Sequence, residues 1–174
     1  MEERVILVNS QDQEIGVEEK LRAHQLGLLH RAFSVCLFNA QGELLLQQRA
    51  LSKYHSGGLW TNTCCSHPRP GESIAQAVRR RLKEEMGIVE GNWQPASALL
   101  YRAELAGGLI EHEYDHIWVG SNTANPVPNP DEVMGWRYAS LETLALDTQK
   151  HPEQYTAWFH LLLPQLACPT QLRP

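Results

Sequence analysis

The chain has 174 residues, 43% of them hydrophobic and 20% charged, with a formal net charge of −5. That length suits a single domain over residues 1–174, with room for a sizeable core. The acidic balance argues against a nucleic-acid binder working through a broad basic surface, and no apolar run approaches the ~20 residues of a membrane span. Val5 to Val8 reads as a strand, followed by a polar turn over Asn9 to Glu14. Ala32 to Phe38 and Leu44 to Gln48 read as a hairpin around Asn39-Ala-Gln-Gly42. Arg49 to Gly58 is a polar loop closed by the Gly57-Gly58 turn, and Trp60 to Cys65 reads as extended.

Pro68 and Pro70-Gly71 break the chain before the clearest helix, Glu72 to Met86, with Gly87 as its C-cap. Strands follow at Ala98 to Glu104, Leu109 to Val119 and Val133 to Tyr138, with a Pro/Asn-rich loop over Asn122 to Pro130. Short helices are expected at Leu141 to Leu146 and Pro152 to Leu163, then a fraying tail from Pro164. No repeat or long linker interrupts this. The mixture predicts an α/β or α+β fold around one mixed sheet. The start of the chain has no secretory pattern. The four cysteines, Cys36, Cys64, Cys65 and Cys168, form no CxxC pair, so reduced thiols in a cytoplasmic protein are expected.

At about 100° per residue, Ile74, Val78 and Leu82 form the core stripe of the long helix. Arg81 and Glu85 fall on or beside that stripe, one turn apart, and Glu84 sits well away. Charges against an apolar face are costly unless paired or bound to something. Ser66, Glu72, Arg80-Arg81, Leu82, Glu84-Glu85, Gly87 and Ile88 occupy the positions of a Nudix box. The segment resembles that box with two departures: Ser66 replaces the opening Gly, and Arg81 replaces the first Glu of the late cluster. In Nudix hydrolases that Glu belongs to the metal-binding set, so the resemblance favours the fold over the hydrolase chemistry.

Two further stretches carry chemistry. Trp60-Thr-Asn-Thr-Cys-Cys-Ser-His-Pro68 sets Cys65 two residues before His67. In Leu109-Ile-Glu-His-Glu-Tyr-Asp-His-Ile-Trp-Val119, strand alternation puts Glu111, Glu113 and Asp115 on one face and His112 on the other. Three carboxylates in a row repel unless water or a cation relieves them. A solvated edge strand and a bound metal both answer that demand. Among eight histidines, His24 and His30 flank a Leu-Gly-Leu-Leu segment, and imidazoles with carboxylates are ordinary ligands for transition metals.

Together, His24…His30, Arg49-Ala-Leu-Ser-Lys53, the Trp-Thr-Asn and Cys-x-His segment, the degenerate Nudix helix, Tyr101-Arg-Ala103, Glu111-His-Glu113 and Asp131-Glu-Val133 resemble the type I isopentenyl-diphosphate isomerases. The resemblance runs from about Lys20 to Trp158. It implies a Nudix-like fold, a mixed β-sheet sandwiched between α-helices. It implies catalytic roles for Cys65 and Glu113, with Tyr101 assisting the glutamate. His24, His30, His67, Glu111 and Glu113 match five ligands of one divalent metal, Mn²⁺, Mg²⁺ or Zn²⁺. Glu85 matches the ligand of a Mg²⁺ that binds with the substrate diphosphate. Lys20, Arg49, Lys53 and Arg81 match a cationic diphosphate pocket, and Trp158 an aromatic wall beside the hydrocarbon. Cys64 is then a packing residue.

The partner implied is a small isoprenoid diphosphate, with no nucleic acid or membrane, and the chain a monomer or small homo-oligomer. On this resemblance Glu113 would protonate the alkene and Cys65, as thiolate on the opposite face of the substrate, would take the C2 proton. The His24–His30 region and the last helix are candidate closing segments. Two other readings compete: a Nudix pyrophosphohydrolase, and a zinc module built on Cys64, Cys65 and His67.

Overall fold

The structure, a computed structural model, describes residues 3–122 and 124–166. Cys168 and the tail expected to fray lie outside the described residues from residue 167 on. Nine strands form one mixed sheet: β1 (Arg4–Val8), β2 (Glu14–Glu19), β3 (His30–Phe38), β4 (Leu44–Arg49), β5 (Trp60–Thr61), β6 (Cys64–Ser66), β7 (Asn92–Glu104), β8 (Ile110–Ser121) and β9 (Val133–Ala139). Four helices accompany them: α1 (Lys20–Leu26), α2 (Ile74–Met86), α3 (Leu141–Lys150) and α4 (Ala157–Leu166).

β3 is the hub. Along one edge it pairs with β8 in parallel over its whole length. Along the other it pairs antiparallel with β1, β6 and β4 in turn. Alternation along β3 divides the core in two. Phe33, Val35 and Leu37 join Val78, Leu82 and Met86 of α2 on one face. Cys36 joins Leu144 of α3 and Phe159 and Leu162 of α4 on the other. Each fully buried Leu or Phe is worth ~1.5–3 kcal/mol of transfer free energy. The sandwiched mixed sheet expected from sequence is therefore present.

Several boundaries moved for identifiable reasons. β2 and α1 were not anticipated. β2 is a half-exposed edge strand of mixed polarity, and α1 has only seven residues, capped by the Glu19 carboxylate on Leu21 N and Arg22 N. α2 starts at Ile74 because Ser73 and Gln76 form a capping box there, which leaves Glu72 outside the helix to pair with Arg80 at 2.8 Å. The extended Trp60–Cys65 segment breaks at Asn62-Thr63. There side chains replace ladder bonds: Asn62 Nδ2 donates to Val35 O and Cys64 O, and Thr63 Oγ1 donates to Leu45 O. The last predicted helix splits into a 3₁₀ turn at Pro152–Gln154 and α4. α4 continues through Pro164, since one missing N–H near its end is outweighed by the burial of Leu162, Leu163 and Leu166.

The C-terminus of α2 is closed by the Pro/Asn-rich loop, through Val127 N to Met86 O and Asn129 N to Glu85 O, each 2.9 Å. Gly87 stands at the junction with φ +66°, and a Cβ there would lie 2.4 Å from the Val127 carbonyl oxygen. Gly87→Ala is therefore expected to lower unfolding stability by about 1–3 kcal/mol. Gly42→Ala, at similar φ with nothing within 4 Å, should cost less. Urea midpoints of the two variants check this, and equal midpoints would contradict it.

Candidate active site

Register assembles the site before any loop contributes. The β3–β8 pairing sets His30 beside Glu113, and the β7–β8 pairing sets Tyr101 beside Glu113. The β3–β6 pairing sets Ser34 beside Cys65. Because β8 lies between β3 and β7, Glu111, Glu113 and Asp115 are buried rather than spread along a solvated edge. Water does not relieve their repulsion.

Three imidazoles converge on two of these carboxylates. His24 Nδ1 donates to Lys20 O at 2.7 Å and His30 Nδ1 to Leu28 O at 2.8 Å. Each backbone carbonyl thus fixes a tautomer whose Nε2 lone pair faces inward. His30 Nε2 lies 3.2 Å from His67 Nε2, and His67 Nε2 lies 2.9 Å from Glu113 Oε1. The donor atoms of His24, His30, His67 and Glu113 all fall within 4.8 Å of one another, as do those of His24, His55 and Glu111. Glu111 Oε2 and His67 Nδ1 are buried without a hydrogen-bond partner. Converging lone pairs and an orphaned carboxylate oxygen are the chemistry of a divalent-cation site, and these residues fit one.

Protonation follows from burial. Burial, with the charge of Glu113, raises the Glu111 carboxyl well above the usual range. Burial also acts to raise Glu113, but its contacts with the His30 and His67 imidazoles outweigh that and hold it low. His67 is pulled down to about 3, chiefly by burial. Burial and the neighbouring carboxylates push Tyr101 well up, so it stays a phenol and donates to Glu113 Oε2 at 2.7 Å.

Cys65 faces the same pocket from β6. Trp158 Nε1 donates to its sulfur at 3.1 Å, and the thiol donates to Asn62 Oδ1 at 2.9 Å. Ser34 Oγ stands 3.6 Å from the sulfur and donates to Asp115 Oδ2 at 2.7 Å. Burial and the Asp115 charge push the Cys65 thiol up to about 12. In the free protein it is a neutral thiol, which differs from the thiolate expected from sequence. Its neighbour Cys64 is fully buried in the core under α2. Alternation therefore puts the two sulfurs on opposite faces, and a zinc module using Cys64, Cys65 and His67 together is ruled out. His112 also points away, to Gly27 O at 2.9 Å.

The other end of the pocket is cationic. Lys20, Arg49, Lys53 and Arg81 all line it, as do Glu85 and Trp158. Arg81 bonds Glu85 and Glu84 and reaches Glu132 at 3.2 Å, and Lys53 also pairs with Glu132. Glu85 further accepts from Gln47 Nε2 at 2.8 Å. Crowded, buried cations disfavour one another: burial, with Arg49 and Arg81, draws Lys53 down to about 8 despite the charge of Glu85. Arg49 lies over the Trp158 ring at 5.3 Å, joining the cationic end to the apolar wall.

Every expected site residue is thus in one place. His24 and His30 sit fully buried behind the pocket wall. Sequence reasoning passed over Ser34, Asn62, Gln47, Asp115 and His55 as participants. Only pairing and loop geometry bring these to the site, apart from Asp115, which shares the face of Glu113 by alternation.

A family model described as "NUDIX domain" matches residues 28–159. An isopentenyl-diphosphate Delta-isomerase of Burkholderia multivorans is 52% identical over 169 residues, covering 97% of this chain and 96% of the relative. One from Serratia proteamaculans is 50% identical, covering 95% and 92%. Among solved structures, a Deinococcus radiodurans protein aligns with TM-score 0.81 at 21% identity, covering 95% of this chain and all of that one. That likeness bears on the fold alone.

A neutral, partly shielded thiol reacts slowly. At pH 8 Cys65 is expected to react with iodoacetamide on the order of 10³-fold more slowly than an unperturbed thiol, with a rate that climbs as pH rises toward about 12. Peptide mass spectrometry checks this and should find Cys64 unmodified until the protein unfolds. Alkylation of Cys65 at the rate of a free thiol would refute it.

Proposed function

We propose a division of roles in this pocket on the premise that the chain, which carries the NUDIX domain, belongs to the isopentenyl-diphosphate Delta-isomerases. The reaction interconverts isopentenyl and dimethylallyl diphosphate. A proton adds to the terminal alkene carbon, a tertiary carbocation forms, and a proton leaves C2. An alkene is a very weak base, so the reaction needs a placed acid, a placed base, and surroundings that tolerate positive charge.

Cys65 and Glu113 are the acid–base pair in this reading. The observation that carries it is that one pocket holds a thiol and a carboxylate with different proton affinities, beside an indole and four cations. Between them the two groups hold one proton. The free protein keeps it on Cys65; the direction expected from sequence needs it on Glu113. Each turnover delivers a proton from one group to the substrate and takes another onto the second group, and proton exchange between the groups or with solvent restores the starting state before the next turnover. Tyr101 orients Glu113 and stays protonated while doing so. The Trp158 ring supports the carbocation, an interaction of ~2 kcal/mol or more when desolvated, and its N–H supports negative charge on sulfur.

Lys20, Arg49, Lys53 and Arg81 hold the diphosphate, and remote binding of that kind positions the alkene. His24, His30, His67, Glu111 and Glu113 hold one divalent ion, which offsets the mutual repulsion of the two glutamates. Three imidazoles favour Mn²⁺ or Zn²⁺ over Mg²⁺ there. Glu85 takes the Mg²⁺ that accompanies the diphosphate. A pyrophosphohydrolase is disfavoured because Arg81 stands where that chemistry needs a carboxylate, and it engages Glu84 and Glu85.

Wild-type protein with Mg²⁺ and isopentenyl diphosphate under reducing conditions should form dimethylallyl diphosphate; no isomerisation would sink the reading. Cys65→Ala and Glu113→Gln should each abolish turnover while Cys64→Ala keeps it. Tyr101→Phe should lower kcat by ~10²-fold or more with KM little changed. Arg81→Ala should act mainly on KM, read from initial rates over a range of substrate concentration.

A further inference from the structure

One more imidazole reaches the metal-type cluster from the loop after β4, and neither the acid–base pair nor the five expected ligands uses it. His55 is about 5% exposed at its side chain, and its Nε2 lies 3.2 Å from Glu111 Oε1. The geometry points to His55 as a positioning residue for the metal centre: its Nε2 stands 3.2 Å from Glu111 Oε1 and holds that side of the carboxyl, which leaves Glu111 Oε2 as the oxygen available to an ion. The inference rests on the metal reading of the cluster given above.

The surrounding contacts favour that assignment. His55 Nδ1 lies 3.2 Å from Ser56 Oγ, and when that hydroxyl donates to it the proton of the neutral ring is on Nε2, toward Glu111. Glu111 Oε2 is buried with no hydrogen-bond partner, 3.6 Å from His24 Nε2. His24 has already committed Nδ1 to Lys20 O, so its Nε2 carries a lone pair. A carboxyl oxygen without a hydrogen-bond partner, 3.6 Å from an imidazole nitrogen, is an arrangement a cation completes.

The same fact excludes a second ion. After the Lys20 bond His24 has only Nε2 to offer, with Tyr54 Oη 3.4 Å from it, yet it belongs to both clusters of candidate ligands. The two clusters therefore share one centre, in which we give His55 the outer place beside Glu111. Metal-bound carboxylates are commonly held this way, and losing such a partner typically lowers metal affinity by ~10–100-fold.

The backbone gives His55 little freedom. Arg49 donates to its carbonyl at 3.1 Å, and Ser56 follows at φ +52°. A Cβ on Gly57 would sit 2.8 Å from Leu51 O, so the turn packs closely. The ring stands edge-on to Trp158, with centroids 5.9 Å apart. His55 thus links the metal end of the pocket to its aromatic wall.

The test is titration of the metal-free protein with Mn²⁺ or Zn²⁺ against a competing chelator, together with visible spectra of the Co²⁺-loaded protein. His55→Phe should bind ~10–100-fold more weakly than wild type. His55→Gln, whose amide donates at similar reach, should stay close to wild type in affinity and in Co²⁺ spectrum. Wild-type affinity in His55→Phe would overturn the inference. So would a His55→Gln variant with an altered Co²⁺ spectrum, since that marks a direct ligand; this arm holds even if His55→Phe fails to fold. Wild-type protein that binds no ion would instead overturn the metal reading itself.

Discussion

Glu111, Glu113 and Asp115 share one face of a strand that is paired on both sides from Glu113 on, and all three are buried. Buried like charges cannot all persist unaided. Each carboxylate is answered differently. Asp115 is pushed up to about 8 by burial and Glu113, and accepts from Ser34. Glu113 is held by Tyr101 and His67. Glu111 keeps one oxygen with no partner. The imidazoles, the tyrosine and the pocket behind them follow from the placement of this one strand.

Much of this was legible from residue order. Period-2 alternation along Glu111–Asp115 and the stripe of α2 sufficed to say which side chains share a face. They also separated Cys64 from Cys65 and sent His112 away. What alternation could not supply was the identity of neighbouring strands. Burial of the carboxylates depends on β8 having partners on both edges, and a parallel partner eighty residues away leaves no local trace. The solvated-edge reading was open for that reason alone. His55 was invisible for a related reason: a histidine in a polar loop looks like any surface histidine until the loop folds over the sheet.

The thiol shows where resemblance falls short. The family resemblance implies a thiolate at Cys65. In space burial raises its thiol, and the charge of Asp115 works in the same direction. The altered Nudix helix shows the reverse: Arg81 looks like a defect in a metal motif, but it bonds Glu84 and Glu85, so its charge is met by the acidic positions that remain.

The turning of Cys64 through the sheet also has a bearing on oxidative chemistry. Adjacent cysteines invite the thought of a reversible disulfide that protects a reactive sulfur. Here the neighbour is sealed among Phe33, Val78 and Leu82 on the far face. A sulfenic acid formed on Cys65 would not find its resolving thiol in Cys64, so that local route back from oxidation is closed. The slow ionisation of the thiol then acts as its safeguard, in place of a disulfide partner.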